Sequence, residues 1–310
     1  MKHTVKVTAA LILFFFMAQV VGLLVINQYI DHKTTAETKE IAYNPLPFNL
    51  ERPEVQNESY SFIYIMVAIL IGTILILLLI KFNKPMIWKF WFFITVWLTL
   101  SIALAAFINS VVAAILALII SILKLYKPTI ILQNLSEIFI YGGLAAIFVP
   151  MINLFAAFML LILISIYDFI AVFKTKHMVK LAEFQSQSKV FAGLLIPYEK
   201  GKLVQGRLSS KSQIKAKPGK TSRKSTSGQS IAVLGGGDIG FTLIFAGVVM
   251  KGLMLQHTVL TGFLIALIIP VIVTIALGIL LFKGQQNKFY PAMPVLSLGC
   301  FIGYLIVLLV

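Results

Sequence analysis

The chain has 310 residues, of which 59% are hydrophobic and only 12% are charged, and its mean hydropathy is +0.97. Soluble domains carry about 25% charged residues, so this composition excludes a soluble enzyme, a disulfide-rich secreted domain and a disordered chain. The single cysteine, Cys300, excludes an internal disulfide and a cysteine-based metal site. A multi-pass membrane protein is the class that remains.

Apolar runs long enough to cross a bilayer, about 20 residues each, recur along the whole chain. The first is interpreted as an uncleaved anchor, because the apolar part of a secretory signal spans only about 7–15 residues. Two uninterrupted runs are too long for one crossing, and we divide them at Asn109-Ser110 and at Pro150, where proline removes a helical hydrogen bond. The sequence thus predicts an all-α protein with nine transmembrane helices, at residues 5–26, 61–80, 87–107, 109–125, 134–149, 151–173, 231–250, 257–282 and 289–310.

The net charge of +15 follows this topology. With a cytoplasmic N-terminus, the inner segments hold 22 of the 26 Lys and Arg residues, in agreement with the positive-inside rule. The first outer loop is acidic instead. We therefore predict a cell-membrane protein with a cytoplasmic N-terminus and an external C-terminus. The basic charge is interpreted as an orientation signal and not as a nucleic-acid site.

The spans divide the chain into three parts. Residues 1–173 form a six-helix membrane part, 174–230 a basic cytoplasmic loop that is partly disordered, and 231–310 a three-helix membrane part. Within the loop, residues 178–197 are interpreted either as an amphipathic segment on the membrane surface or as an extension of the preceding helix. Residues 209–230 are rich in Ser, Thr and Lys, a composition that predicts a flexible tether.

Three acidic residues lie within or near the predicted bilayer. Glu137 is placed at the inner edge of its span, where we expect it to reach the lipid headgroups. Asp168 and Asp238 lie deeper, and an ionisable residue inside a span costs about 2.5–3.5 kcal/mol and indicates a function. At a rise of 1.5 Å per residue both are about 9–12 Å from the inner surface, so we expect the two carboxyl groups to meet.

Two carboxyl groups in contact cannot both ionise cheaply, so such a pair shares a proton. One member can then activate a water molecule while the other polarises a carbonyl, without a metal or another cofactor. Motifs that disfavour regular helix flank the pair, and the backbone groups they leave unpaired are expected to bind an extended peptide. These motifs are Gly235-Gly236-Gly237, which precedes Asp238, and Pro291-Ala292-Met293-Pro294, which opens the last span.

The motifs resemble those of the presenilin and signal peptide peptidase family, the GxGD-type intramembrane aspartyl proteases. The resemblance covers nearly the whole chain and is closest to archaeal presenilin homologues. It implies that Asp168 and Asp238 are catalytic and that Tyr167, the glycine run and the Pro-Ala-Met-Pro segment contact the substrate. Two positions depart from the family pattern: Gly236 stands where a larger residue, often Leu, is usual, and Met293 stands where Leu is usual.

The predicted function is hydrolysis of peptide bonds within transmembrane segments, such as remnant signal peptides or membrane-protein stubs. The predicted partners are such helices and the lipid bilayer, and a homo-oligomer is left open. One alternative is an ion- or proton-coupled transporter that uses the two aspartates as ligands, which leaves the Pro-Ala-Met-Pro segment unexplained. A second is a prepilin-peptidase-like enzyme, which also has a GxGD motif but cuts at the cytoplasmic face.

Two remaining patterns are interpreted as structural. Gly299 and Gly303 form a GxxxG pattern, which is typical of close helix packing in membranes. The glycosylation sequon at Asn134-Leu135-Ser136 lies at the inner side of a span and is read as accidental.

Overall fold

The computed structural model describes residues 5–53, 55, 57–82, 84–175, 184, 190–197, 231–283 and 290–310, and most of them are α-helical. Seven helical segments in this part of the chain are long and apolar enough to span a membrane. Two shorter apolar helices occupy the predicted fourth and ninth spans. The helices are α1 Val5–Tyr29, α2 His32–Thr38, α3 Ser61–Lys81, α4 Pro85–Ala105, α5 Ser110–Tyr126, α6 Ile130–Phe148, α7 Leu154–Ile170, α8 Gly236–Leu253, α9 Val259–Ala266, α10 Ile268–Lys283 and α11 Met293–Val307.

The predicted multi-pass helical fold is confirmed, and so are the two predicted breaks in the long apolar runs. Asn109 ends the first run by accepting a hydrogen bond from the Val111 N–H, which caps the start of α5. The second run is interrupted by a 3₁₀ turn at Val149–Met151, which contains Pro150. Asn153 then caps α7 through the N–H of Ala156. The total of nine crossings stays a prediction, because α5 and α11 are shorter than a typical span.

The predicted start of the seventh span, at residue 231, is wrong. Residues 231–235 form a strand, β2 (Ile231–Gly235), and not the first turn of a helix. This strand pairs antiparallel with β1 (Gly193–Pro197), and Gly193 lies opposite Gly235. The helix α8 begins only at Gly236. The predicted amphipathic segment at 178–197 lies largely outside the described residues, and its end at 193–197 is a strand and not a helix. The predicted tether at 209–230 lies wholly outside them.

Helix α8 lies in the middle of the bundle and packs against α1, α6, α7, α9, α10 and α11. Every residue from Ile239 to Met250 except Phe241 is buried. Small residues on the surrounding helices allow this close approach: a Cβ added to Gly22 of α1 would collide with the Leu243 side chain. A hydrogen bond reinforces the same contact, because the Gln19 amide donates to the Ile239 carbonyl at 3.0 Å and to the Thr242 hydroxyl at 2.9 Å.

The GxxxG pattern acts as predicted. A Cβ on Gly299 would lie 3.2 Å from the Val273 Cα, and one on Gly303 would lie 3.0 Å from the Ile269 Cα. These two glycines therefore let α11 approach the backbone of α10. Because α10 also packs on α8, this contact helps to place α11 beside the centre of the bundle.

A compact loop covers the end of the bundle opposite the predicted cytoplasmic face. The Arg52 guanidinium lies over the rings of Tyr29, at 5.8 Å, and Tyr43, at 5.4 Å from the ring centres. It also donates a hydrogen bond to the Asn44 carbonyl at 2.9 Å. Burial raises the pKa of the Tyr43 hydroxyl and lowers the pKa of Arg52. Arg52 thus helps to hold the loop through cation–π contacts and a charge-assisted hydrogen bond.

Candidate active site

Asp168 is buried near the end of α7, with 7% of its surface exposed. Its Oδ2 accepts a hydrogen bond of 3.2 Å from the Met293 N–H, the first residue of α11. The first N–H groups of a helix have no partner within the helix, and they attract negative charge. Pro294 fits in this first turn, because proline has no N–H to satisfy there. The structure therefore brings the Pro-Ala-Met-Pro segment to Asp168, through a backbone donor rather than through free carbonyls.

Asp238 lies in the first turn of α8 and is half-buried. A Cβ on Gly235, the last residue of β2, would lie 3.4 Å from the Asp238 Oδ2, so the carboxyl group folds back over the end of the strand. Helix α7, which carries Asp168, packs directly against α8, which carries Asp238. The expected meeting of the two carboxyl groups stays a prediction.

Of the three glycines before Asp238, Gly236 has the tightest surroundings. A Cβ at this position would lie 2.5 Å from the Tyr141 hydroxyl oxygen, whereas one on Gly237 would make only an ordinary contact with Phe241, at 3.6 Å. Gly235 ends the strand. The departure from the family pattern at Gly236 thus has a steric reason, since Tyr141 occupies the space that a larger side chain would need.

Tyr167 directs its hydroxyl to a neighbouring helix. This hydroxyl lies 3.0 Å from the Thr73 hydroxyl of α3, with which it shares a hydrogen bond. Tyr167 therefore links α7 to α3. Its predicted role in substrate binding stays a prediction.

The prediction for Glu137 is wrong. Helix α6 begins at Ile130, so Glu137 lies two turns inside the helix, and it is 1% exposed instead of reaching the headgroups. Its Oε1 lies 2.5 Å from the Nζ of Lys124, which is also buried, and its Oε2 accepts a hydrogen bond from the Tyr141 hydroxyl. Lys124 lies near the inner end of the predicted fourth span, where the positive-inside rule predicts an exposed flanking charge, but it is the cation of this buried pair.

Polar side chains of α6 also hold the backbone at the start of strand β1. The Asn134 amide donates to the Leu195 carbonyl at 2.8 Å and its carbonyl accepts from the Leu195 N–H at 2.9 Å. The Gln133 amide donates to the carbonyls of Phe191 and Gly193. Asn134 is therefore buried and fully used, which agrees with the reading of its sequon as accidental. The spacing of Gln133, Glu137 and Tyr141, four residues apart on one helix face, is the sequence signal that could have revealed this cluster.

The described residues include no group of three or more His, Cys, Asp or Glu side chains that could hold a metal ion. The polar groups at this end of the bundle include the two aspartates, the Met293 N–H and the buried cluster on α6. Such a set can exchange protons and polarise a carbonyl by hydrogen bonding.

The fold and these groups define a class: a polytopic helical membrane protein with an aspartate on each of two adjacent helices of the bundle. The sequence matches the family described as signal-peptide peptidase, presenilin aspartyl protease over residues 38–310. The chain therefore belongs to this family of intramembrane aspartyl proteases. Its function as a peptide hydrolase, predicted from the sequence, is confirmed, and the transporter alternative is not supported.

Two solved structures have the same fold. One, of a presenilin family intramembrane aspartate protease in the C222 space group, has a TM-score of 0.59 and 18% sequence identity, and the match covers 97% of this chain and 98% of that one. The other, of a presenilin family intramembrane aspartate protease in the P2 space group, has a TM-score of 0.57 and 16% identity, with 97% and 96% covered. A comparison with curated proteins finds no match.

Proposed function

We propose that Asp168 and Asp238 together hydrolyse a peptide bond of a transmembrane substrate. The observation that carries this assignment is that the Met293 N–H donates to the Asp168 carboxyl group while α7, which carries Asp168, packs against α8, which carries Asp238. Two adjacent carboxyl groups share one proton, and we assign it to Asp238 because Asp168 already accepts a hydrogen bond from the backbone. Asp168 then serves as the general base and Asp238 as the acid.

In this assignment Asp168 removes a proton from a water molecule as the water attacks the scissile carbonyl carbon. Asp238 donates its proton to the carbonyl oxygen, and a tetrahedral diol forms. When the C–N bond breaks, Asp168 gives its proton to the amine nitrogen and Asp238 takes a proton from one hydroxyl of the diol, which becomes the new carboxyl group. Asp238 is then protonated and Asp168 ionised for the next cycle. All steps use the two carboxyl groups and water.

The neighbouring strand offers a means of presenting the substrate. A transmembrane helix encloses its carbonyls in hydrogen bonds, so the substrate must be extended before it can be cut. Among the described residues, β2 pairs only with β1, and it ends three residues before Asp238. The other edge of β2 is a template for an extended peptide, which would add as a further strand and lead its backbone to the carboxyl pair.

The charge distribution supports an orientation for this site. The inner segments hold most of the Lys and Arg residues when the N-terminus is cytoplasmic. Both aspartates, β2 and the start of α11 then lie toward the cytoplasmic side of the membrane. We propose that the substrates are single transmembrane segments, such as remnant signal peptides or membrane-protein stubs, that reach the site from within the bilayer.

The test is cleavage of a fluorogenic transmembrane peptide by the purified protein in lipid vesicles. Asp168→Asn and Asp238→Asn are each expected to lower the rate by about 10²- to 10⁴-fold, because each removes a proton-transfer group. Asp31→Asn is the matched control: Asp31 caps α2 in the outer loop, and asparagine caps equally well. Full activity in either site variant would overturn the assignment. Ion flux that depends on the aspartates, without cleavage, would instead support the transporter hypothesis.

A further inference from the structure

A continuous set of contacts joins a buried ion pair to the helix that carries Asp238. Lys124 on α5 pairs with Glu137 on α6, and Glu137 accepts a hydrogen bond from the Tyr141 hydroxyl one turn further along the helix. The Tyr141 hydroxyl in turn lies against Gly236, the first residue of α8. All three side chains are buried, with exposures of 3%, 1% and 5%.

The Tyr141 ring packs against the first two turns of α8. A Cβ on Gly236 would lie 2.5 Å from the Tyr141 hydroxyl oxygen and 3.0 Å from Cε1, and one on Gly240 would lie 3.8 Å from Cδ1. Residues four apart lie on the same helix face, so the two glycines present one surface to the ring. Asp238 lies between them in the chain, in the same first turn of α8.

This arrangement is costly for the fold. A buried charged pair usually contributes less to stability than well-packed apolar residues of the same size, and ionisable residues within a span are unfavourable. The same Glu137 oxygen that binds Lys124 also accepts a hydrogen bond from Gln133, at 3.0 Å, and Gln133 holds the backbone of the segment around Gly193. The cluster thus touches both the start of α8 and the strand that pairs with β2.

We propose that Tyr141 is a positioning residue for Asp238. Its hydroxyl is held by Glu137 and its ring packs on Gly236, and these contacts fix the first turn of α8 so that the Asp238 carboxyl group is directed toward Asp168. This inference rests on the proposed catalytic roles of the two aspartates. Tyr141 does not take part in proton transfer. The hydrogen bond from its hydroxyl to Glu137 fixes the position of the ring against Gly236. Without this bond the first turn of α8 can shift relative to α7.

The first test compares two variants that each remove one buried hydroxyl. Tyr141→Phe breaks the bond to Glu137, and Tyr29→Phe breaks the 2.8 Å bond to the Ile102 carbonyl in another part of the bundle. Both are expected to lower the melting temperature by similar amounts. Only Tyr141→Phe is expected to lower kcat, by about 10- to 100-fold, because small misplacements of a catalytic group have effects of this size. KM should stay within about twofold of the original value, since the substrate contacts are unchanged.

The second test examines the contact with Gly236. Gly236→Ala places a methyl group against the Tyr141 hydroxyl and is expected to lower kcat. In the double variant with Tyr141→Phe the ring is free of Glu137 and can move, so the two effects should not multiply, and the double variant should be no slower than the Gly236→Ala protein. Multiplying effects would show that Tyr141 does not act through Gly236 and would overturn the proposal.

The outcomes separate this inference from the function on which it rests. If the Asp168→Asn and Asp238→Asn variants are inactive while Tyr141→Phe keeps its full kcat, the positioning role is wrong and the catalytic assignment stands. Equal loss of kcat in Tyr141→Phe and Tyr29→Phe also overturns it, because general destabilisation then explains both. If the aspartate variants stay active, the proposed function itself fails.

Discussion

Two membrane-spanning helices of this protein, α3 and α8, have opposite surroundings. Along α3 only Ser61 and Ile65 are buried, and apolar side chains cover the rest of its surface. Along α8 almost every residue from Ile239 to Met250 is buried, yet this helix contains several glycines, a threonine and Asp238. The more apolar helix is therefore the one at the periphery, and the less apolar helix is the one in the centre.

The two helices differ in composition because lipid surrounds α3 and other helices surround α8. Lipid cannot satisfy polar groups, so a helix at the periphery must be apolar on every exposed face. A helix surrounded by other helices finds hydrogen-bond partners there, and small residues let those helices approach. In this protein Asp168 and the charged pair of Lys124 and Glu137 are buried in the interior. The proposed function thus uses the part of the molecule where other helices, and not lipid, provide the environment.

The largest expected effect concerns ion pairs in these two environments. Lys124→Met leaves the buried Glu137 carboxylate without its cation, and we expect it to cost about 3–5 kcal/mol of unfolding free energy. Glu58→Gln removes a pair with Lys251 at the start of the α3 segment, where the Glu58 side chain is 48% exposed and the N–O distance is 3.6 Å. That change should cost below about 1 kcal/mol. Denaturant unfolding in mixed micelles measures both.

A double variant sharpens this prediction. Lys124→Met combined with Glu137→Gln removes both charges, and it should recover part of the loss because no buried ion is left unpaired. Equal costs for Lys124→Met and Glu58→Gln would show that the interior and the periphery do not differ in the way described.

Glycine substitutions provide the next test of the comparison, with a smaller effect. A Cβ on Gly247 of α8 would lie 2.6 Å from Ile26 Cδ1 and 2.8 Å from Val149 Cγ2, whereas one on Gly72 of α3 would meet nothing within 4 Å. We expect Gly247→Ala to destabilise the protein by about 1–3 kcal/mol through overpacking. Gly72→Ala should stabilise it by up to about 1 kcal/mol through helix propensity. Melting temperatures of the two variants would contradict this if they moved in the same direction.

The smallest expected effect is the loss of one interhelical hydrogen bond. Thr242→Val removes the acceptor for the Gln19 amide between α1 and α8, and we expect a cost of about 0.5–1.5 kcal/mol. Thr274→Val on α10 is the control, because the Thr274 hydroxyl bonds the Pro270 carbonyl of its own helix. Its cost should be close to zero. Unfolding free energies that rank the two variants in the reverse order would contradict the prediction.

Much of the fold was predictable because the hydropathy of a segment directly indicates whether it can span the membrane. The breaks at Asn109 and Pro150 follow from run lengths and from the chemistry of single residues. The strand at 231–235 was not predictable in this way, because an apolar run before a glycine series fits a helix as well as a strand. This segment is a strand because it pairs with residues 193–197, which lie more than 30 positions earlier in the chain. The local sequence carries no signal of such a distant partner.

The sequence by itself determined the class of membrane protein, the approximate positions of the spans and the two aspartates that the active site is proposed to use. It did so because the cost of each residue in lipid is a local property. Only the tertiary structure decided that Glu137 is buried beside Lys124, that Tyr141 rests on Gly236 and that the Met293 N–H reaches Asp168. Whether a polar group inside a membrane is tolerated depends on the partner it meets, and that partner comes from a distant part of the chain.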